Sequence, residues 1–226
     1  TESVWSYHLL RTNPSSAVMQ GPVTVRPVAS FAEYCDAMRT WRLAWRAAFD
    51  HILPAASLPA ADVPADRLDR LEAAYEDVTL HDDVFVATAA GAGAAGADSS
   101  PAAANSPPAD VDTGVVGFAH AVWDADRTES FVPADDAELR ALYVRPDDWG
   151  DGVGSALLSH VERAAPADGD ARRLVLQTFA DNEDGRAFYR ARGFDAVGEG
   201  SYEVDDESYP TVVFAKSLRL ETEEAE

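Results

Sequence analysis

Gly150, Gly152 and Gly154 stand at alternate positions between a strand-like run and a helix start in Leu142-Tyr143-Val144-Arg145-Pro146-Asp147-Asp148-Trp149-Gly150-Asp151-Gly152-Val153-Gly154-Ser155-Ala156-Leu157-Leu158. The chemistry of such a stretch is anion binding. Glycines let the main chain approach a ligand closely, and the first-turn N–H groups of a helix point outward with the positive end of its dipole behind them. A pyrophosphate fits such a turn. A phosphate loop of nucleotide hydrolases needs Gly-Lys-Ser/Thr, and this stretch has no lysine. A dinucleotide turn needs G-x-G-x-x-G directly after its strand; here Ser155 takes the third glycine position and Gly150 follows Val144 only after five intervening residues.

Other side chains limit the remaining chemistry. Cys35 is the one cysteine, so no intramolecular disulfide and no cysteine-rich metal site can form, which suits a reducing cytoplasm. His8, His51, His81, His120 and His160 lack the paired spacing of zinc ligands, and no G-x-S-x-G nucleophile turn occurs, so no metal is expected. His120 sits on a strand-like run near the glycine turn and reads as a structural histidine before a catalytic one.

The elements that must position these groups follow from periodicity. Strands are expected at 23–28, 84–87, 115–123, 138–144, 174–179, 194–202 and 211–215. Helices are expected from Ser30 to Pro54, over 66–75, over 152–165 and over 183–192, the last ended by Gly193 in a left-handed position. The runs at 84–87, 115–123 and 138–144 imply an antiparallel meander. The strand, helix and strand over 138–179 imply one parallel crossover, so the sheet is mixed.

The 226 residues suit one domain with extensions: a start at residues 1–20, a domain over 21–217 interrupted by a low-complexity loop at 88–110, and an acidic tail at 218–226. Forty Asp and Glu against 18 Lys and Arg give a formal charge of -22, which argues against a nucleic-acid partner held by phosphate neutralisation. Lys216 is the only lysine, and aspartate is frequent even in loops. That pattern fits a halophilic cytosol, where salt screens self-repulsion. No apolar run is long enough to span a membrane, and residues 1–20 lack the basic start and apolar stretch of a secretion signal.

Two motifs together carry a resemblance. Val144-Arg-Pro followed by Trp149-Gly-Asp-Gly-Val-Gly and Ala156-Leu-Leu resembles the acetyl-coenzyme A loop of the GNAT superfamily of N-acetyltransferases. Leu174-Val-Leu-Gln-Thr-Phe-Ala-Asp-Asn182, with Arg186-Ala-Phe-Tyr189 and Gly193-Phe194 downstream, is similar to that family's later strand, asparagine and Phe-Tyr helix. The resemblance covers roughly residues 23–217 and extends to a halophilic archaeal member. It implies an α/β (α+β) GNAT-type fold: a mixed, mostly antiparallel central sheet of about six to seven strands flanked by about four helices. The chain departs from the family at Trp149, where Gln or Arg is usual, and at Asp151, where a basic or neutral residue is common. Main-chain N–H groups must then do most of the phosphate binding, with Arg145, Arg186 and Arg190 as candidate cations.

The implied reaction is direct transfer of an acetyl group from acetyl-CoA to a primary amine of a small molecule or protein. Leu142, Tyr143, Val144, Trp149, Gly150, Asp151, Gly152, Val153, Gly154 and Ser155 would hold the cosubstrate, and Asn182 would bond the pantetheine arm or the helix backbone, reading equally as a plain N-cap. Tyr189 would protonate the departing thiolate, although it and Phe188 equally read as packing residues. Glu138, fourteen residues ahead of Gly152, resembles the glutamate base of the histone-acetylating branch and equally reads as an ordinary strand glutamate. The position that carries a glutamate in the branch acetylating protein N-termini holds Gln177, a poor proton acceptor. Acidic walls would favour a cationic amine, and a homodimer is compatible with the family. Two other readings stay open: a CoA-binding regulatory module without turnover, and a Rossmann-type nucleotide-binding domain.

Overall fold

A computed structural model describes residues 7–8, 23–62, 67–81, 83–89, 112–169 and 171–218. The remainder of the residue 1–20 extension, residues 90–111 of the low-complexity stretch and residues 219–226 of the acidic tail lie outside the described residues. In chain order come strands β1 (Tyr7–His8) and β2 (Thr24–Pro27), helices α1 (Phe31–Phe49) and α2 (Leu68–His81), and strands β3 (Asp83–Thr88), β4 (Val115–Val122) and β5 (Ala137–Val144). Helix α3 (Val153–Gly169), strand β6 (Arg173–Phe179), helix α4 (Glu183–Ala191) and strands β7 (Asp195–Val204) and β8 (Glu207–Ser217) complete the order.

Seven strands form one sheet in the order β2-β3-β4-β5-β6-β8-β7, with β1 attached to β5 off that path. The expected meander is present: β3, β4 and β5 pair antiparallel in sequence order. Among the described residues the parallel pairs are β5–β6 and β1–β5, so the mixed, mostly antiparallel GNAT-type sheet is found. The parallel, doubly wound sheet of a Rossmann domain is not.

Local signals explain the boundaries. Ser30 caps α1, its hydroxyl accepting from Glu33 N–H at 3.3 Å, while the Glu33 carboxylate reaches back past the cap and accepts from Ala29 N–H at 2.8 Å, a variant of the capping box. Gly193 has φ +84°, the left-handed conformation expected of it. Strands β7 and β8 run longer than the periodicity implied, because Asp205 and Asp206 turn with φ +48° and +66° and join them as one hairpin.

Alternating β5 residues serve two cores. Leu142 and Val144 pack with Val153, Leu157 and Val161 of α3. Ala141 and Tyr143 pack with Trp45 and Phe49 of α1, where Phe179 of β6 closes edge-on against Phe49 at 4.8 Å. Each face of β5 is thereby fixed to a helix, which leaves its strand edges to decide what else can bind.

Candidate active site

Strand β5 changes character midway. Against β4, His120 pairs with Ala141 and Ala121 with Leu139, so Arg140 is an extra residue and β5 bulges there. Against β6 the pairing covers only Ala137 with Leu174 and Glu138 with Val175. Beyond the bulge β5 and β6 part, and β1 takes up the edge at Ala141 and Leu142. Arg145 N–H donates to Val116 of β4 at 2.8 Å, so by strand alternation Leu142 and Val144 turn their N–H and C=O groups away from β4 and into this gap.

The glycine turn lies at the end of that open edge. A 3-10 turn over Pro146–Asp148 leads to Trp149, whose indole Nε1 donates to the Val144 carbonyl at 2.7 Å. Trp149 is therefore a brace folding the turn onto β5, and one carbonyl of the open edge is bonded internally. Gly152 has φ +84°, and no heavy atom lies within 4 Å of where a Cβ would stand, so the space over its main chain is open. The first bond entering α3 is Ala156 N–H to Gly152 C=O at 3.0 Å. The N–H groups of Val153, Gly154 and Ser155 precede it and need acceptors from outside the helix. Gly150 and Asp151 are exposed beside them. Burial pushes the Asp148 carboxyl up, opposed by Arg145 and reinforced by Asp151 and Asp147.

The candidate cations are placed differently from one another. Arg145 is ion-paired to fully buried Asp36 at 2.8 Å and clamps the start of the turn to α1. Arg186 donates to the Ala180 carbonyl, and Arg190 lies 5.7 Å over the Phe214 ring. The cation that reaches the turn is Arg192, which the sequence reading passed over. Its Nη2 donates to Ser155 Oγ and its Nη1 to the Phe188 carbonyl at 3.1 Å, with the guanidinium 3.5 Å over the Phe188 ring. The signal was available: Arg192 follows Phe188 by four positions and so shares its helix face.

Asn182 is buried and caps α4, accepting from Gly185 N–H at 3.0 Å and donating to Thr178 Oγ1 at 2.9 Å. Tyr189 is fully buried on the α3 side, in the cluster that contains Leu142 and Val144, with Phe188 at 5.2 Å and Phe194 at 5.4 Å edge-on. Burial raises its phenol well above 10, so it stays protonated at any physiological pH.

Glu138 lies on the other face, since its neighbours Ala137 and Leu139 point to the α3 side. It is 1% exposed. Its Oε2 accepts from Glu129 N–H at 3.0 Å and Arg140 Nη2 at 2.9 Å, which ties the β4–β5 connection over it, while Oε1 accepts no hydrogen bond. Burial raises its carboxyl pKa, with Arg140 pulling the other way. The structure thus places Glu138 and Tyr189 on opposite faces of the sheet rather than in one pocket.

Near the carboxyl end of β6 a cavity of about 350 Å³ is lined by Ala48 and His51 at the end of α1 and by Asp181, Asn182, Glu183 and Asp184 at the start of α4. Gln177 donates to Thr211 Oγ1 on β8. His120 is buried, and Cys35 is buried with its thiol pushed up to about 11 by desolvation, so it is no nucleophile. Among the described residues no three His, Cys, Asp or Glu side chains gather as a metal site, and no helix is long and apolar enough to cross a membrane.

The model of the acetyltransferase (GNAT) family matches residues 68–194. A peptidyl-lysine N-acetyltransferase, YjaB of Salmonella typhimurium, is 31% identical over 90 residues, which is 40% of this chain and 57% of that protein, so the chain spans little more than half of this curated relative. An N-acetyltransferase of Staphylococcus aureus shares the fold at TM-score 0.55 and 20% identity, over 88% of this chain and 100% of that one. The PaiA N-acetyltransferase of Thermoplasma acidophilum, solved in complex with coenzyme A, does so at TM-score 0.54 and 15% identity, over 87% and 99%.

Proposed function

The chain belongs to the acetyltransferase (GNAT) family, and from that premise we propose an enzyme that transfers an acetyl group from acetyl-CoA to a primary amine by direct attack. The observation that carries this reading is the parting of β5 from β6 beyond Glu138, with an open glycine turn at the end of the freed edge. The main-chain groups of Leu142 and the N–H of Val144 would pair with the pantetheine amides as an added strand does, while Tyr143 between them keeps its own main-chain groups on β4. The N–H groups of Val153, Gly154 and Ser155 would take the diphosphate, with Trp149, Gly150, Asp151 and Gly152 shaping the turn. A backbone N–H near Val144 would polarise the thioester carbonyl, whose oxygen gains charge as the amine attacks. Asn182 would act from behind, as the cap that orients α4 and so Tyr189.

Acid and base would then act from opposite faces. An alkyl amine has a pKa of about 10.4, so at neutral pH it must shed a proton before it attacks. Glu138, with Oε1 free to accept and a raised pKa, is the proposed base on the α1 side. Tyr189, held protonated on the α3 side, is the proposed donor to the coenzyme A thiolate. The acidic cavity between α1 and α4 supports a cationic acceptor, a small polyvalent amine or a basic peptide side chain.

The near-complete burial of Glu138 and Tyr189 favours one second reading, a module that binds CoA without turnover. The two separate by experiment. Free thiol released from acetyl-CoA is followed with a panel of mono- and polyamines in concentrated KCl, in the unaltered chain and in Tyr189→Phe. Catalysis predicts amine-dependent thiol release that falls at least about tenfold in the variant. CoA binding without release establishes the module, and absence of both removes the coenzyme.

The same reading extends to the cell. We place the protein in the cytoplasm of a halophilic archaeon, as one domain over 21–217 with a loop at 88–110 and a tail at 218–226, and as a homodimer. The charge of -22 supports the salt adaptation: a melting temperature that rises steeply with KCl bears it out, and one flat in KCl removes it. Sedimentation reads the dimer.

A further inference from the structure

The gap that opens between β5 and β6 holds a segment of the chain itself. Tyr7 pairs with Ala141 and His8 with Leu142 in parallel register, and β1 also lies alongside β6. The main-chain groups of Leu142 and Val144 face this side of β5, because Arg145 N–H is committed to β4. The Val144 carbonyl already accepts from the Trp149 indole. The stretch left to pair with an incoming extended ligand is therefore the one along which Tyr7–His8 lies. A strand edge pairs with one partner at a time, and any amide-bearing chain laid on it uses the same donors and acceptors.

We propose that the β5 edge at Ala141–Leu142 is a strand-accepting surface with two competing occupants, the chain's own Tyr7–His8 segment and the pantetheine arm of coenzyme A. This rests on the coenzyme reading above. Binding of the coenzyme then requires β1 to leave, and the apparent dissociation constant is the intrinsic one divided by the fraction of molecules with the edge vacant. A strand of two residues is at the short end of what a ladder supports, so the segment acts as a weak competitor that tunes affinity and leaves the chemical step unchanged.

The test uses the full chain with Tyr7→Pro and His8→Pro combined, since proline has no N–H to give and is excluded from the interior of a ladder. Calorimetric titration with coenzyme A is expected to give a dissociation constant about three- to tenfold lower than in the unaltered chain. A peptide of residues 1–12 added to the variant is expected to compete with coenzyme A, and the same peptide with both prolines to have no effect. An equal or weaker affinity in the variant, or a peptide that does not compete, overturns the proposal. If the variant does not fold, the peptide titrated into the unaltered chain decides: a raised dissociation constant for coenzyme A supports the shared edge and no change refutes it. Should coenzyme A bind neither form, the coenzyme reading falls and this inference falls with it, an outcome distinct from equal binding to both.

Discussion

The two halves of β5 are one continuous strand with opposite economies of polar groups. Before the bulge at Arg140, β5 pairs with strands on both sides, and its polar side chains are buried with Glu138 bonded to Arg140 and to the 129 amide. After the bulge the side chains go to the two cores, and the edge that β6 leaves is covered at Ala141 and Leu142 by the two residues of β1 alone. The first half closes the sheet with charges held in place; the second offers backbone to whatever extended ligand enters. One inserted residue separates the half closed by β4 and β6 from the half proposed to take the coenzyme, and it also decides which kind of substitution each half should feel.

The sharpest way to break that contrast is Glu138→Gln. If the closed half also supplies the base, kcat/KM for the amine falls by about 10²- to 10⁴-fold. Because burial raises the Glu138 pKa, the unaltered chain loses activity as pH falls through a value above the ordinary glutamate range, and that acidic limb is absent in Gln. Removing the charge also leaves Arg140 buried without its carboxylate, so a loss of stability of about 3 kcal/mol or more is expected by denaturant unfolding. A variant with reduced stability and unchanged rate would make the closed half purely structural.

Gly152→Ala probes the other half and should be milder. At φ +84° a side chain costs about 1–2 kcal/mol, and the added methyl enters the open space over the turn. KM for acetyl-CoA is expected to rise roughly tenfold with kcat little changed, whereas equal effects on both would show that the turn positions the reacting atoms as well as the diphosphate.

How much of this contrast the sequence showed depends on how local each feature is. The meander, the crossover and the left-handed Gly193 were legible because each is set by periodicity or by one residue's backbone freedom. The bulge was hidden: Ala-Glu-Leu-Arg-Ala-Leu-Tyr-Val reads as an unbroken strand, and only the pairing with β4 shows that Arg140 is extra. Strand β1 was illegible because two residues carry no period. Trp149 stood out as a departure from the family, but its bond to the Val144 carbonyl depends on how the turn folds back. The burial of Glu138 comes from a connection nine residues upstream that has no pattern of its own.

Arg192 gives the finest test of the open half, because it asks whether main-chain amides bind the diphosphate alone. The turn itself carries Asp147, Asp148 and Asp151, and its neighbouring cation Arg145 is engaged by Asp36. The guanidinium that touches the first turn of α3 arrives from the far end of α4 and is held there by Phe188 and Ser155. Burial lowers its pKa, yet an arginine so placed keeps its charge at neutral pH. If it neutralises the diphosphate, Arg192→Gln loses a charged hydrogen bond of about 1.5–3 kcal/mol, a rise in KM for acetyl-CoA of roughly 10- to 100-fold. S-acetylpantetheine, which lacks the diphosphate, should be used equally well by both forms. Arg192→Lys keeps the charge without the fork that spans Ser155 and the Phe188 carbonyl, and should fall between them. Equal losses with both thioesters would instead make Arg192 a strut that sets α4, and Tyr189 with it, against α3.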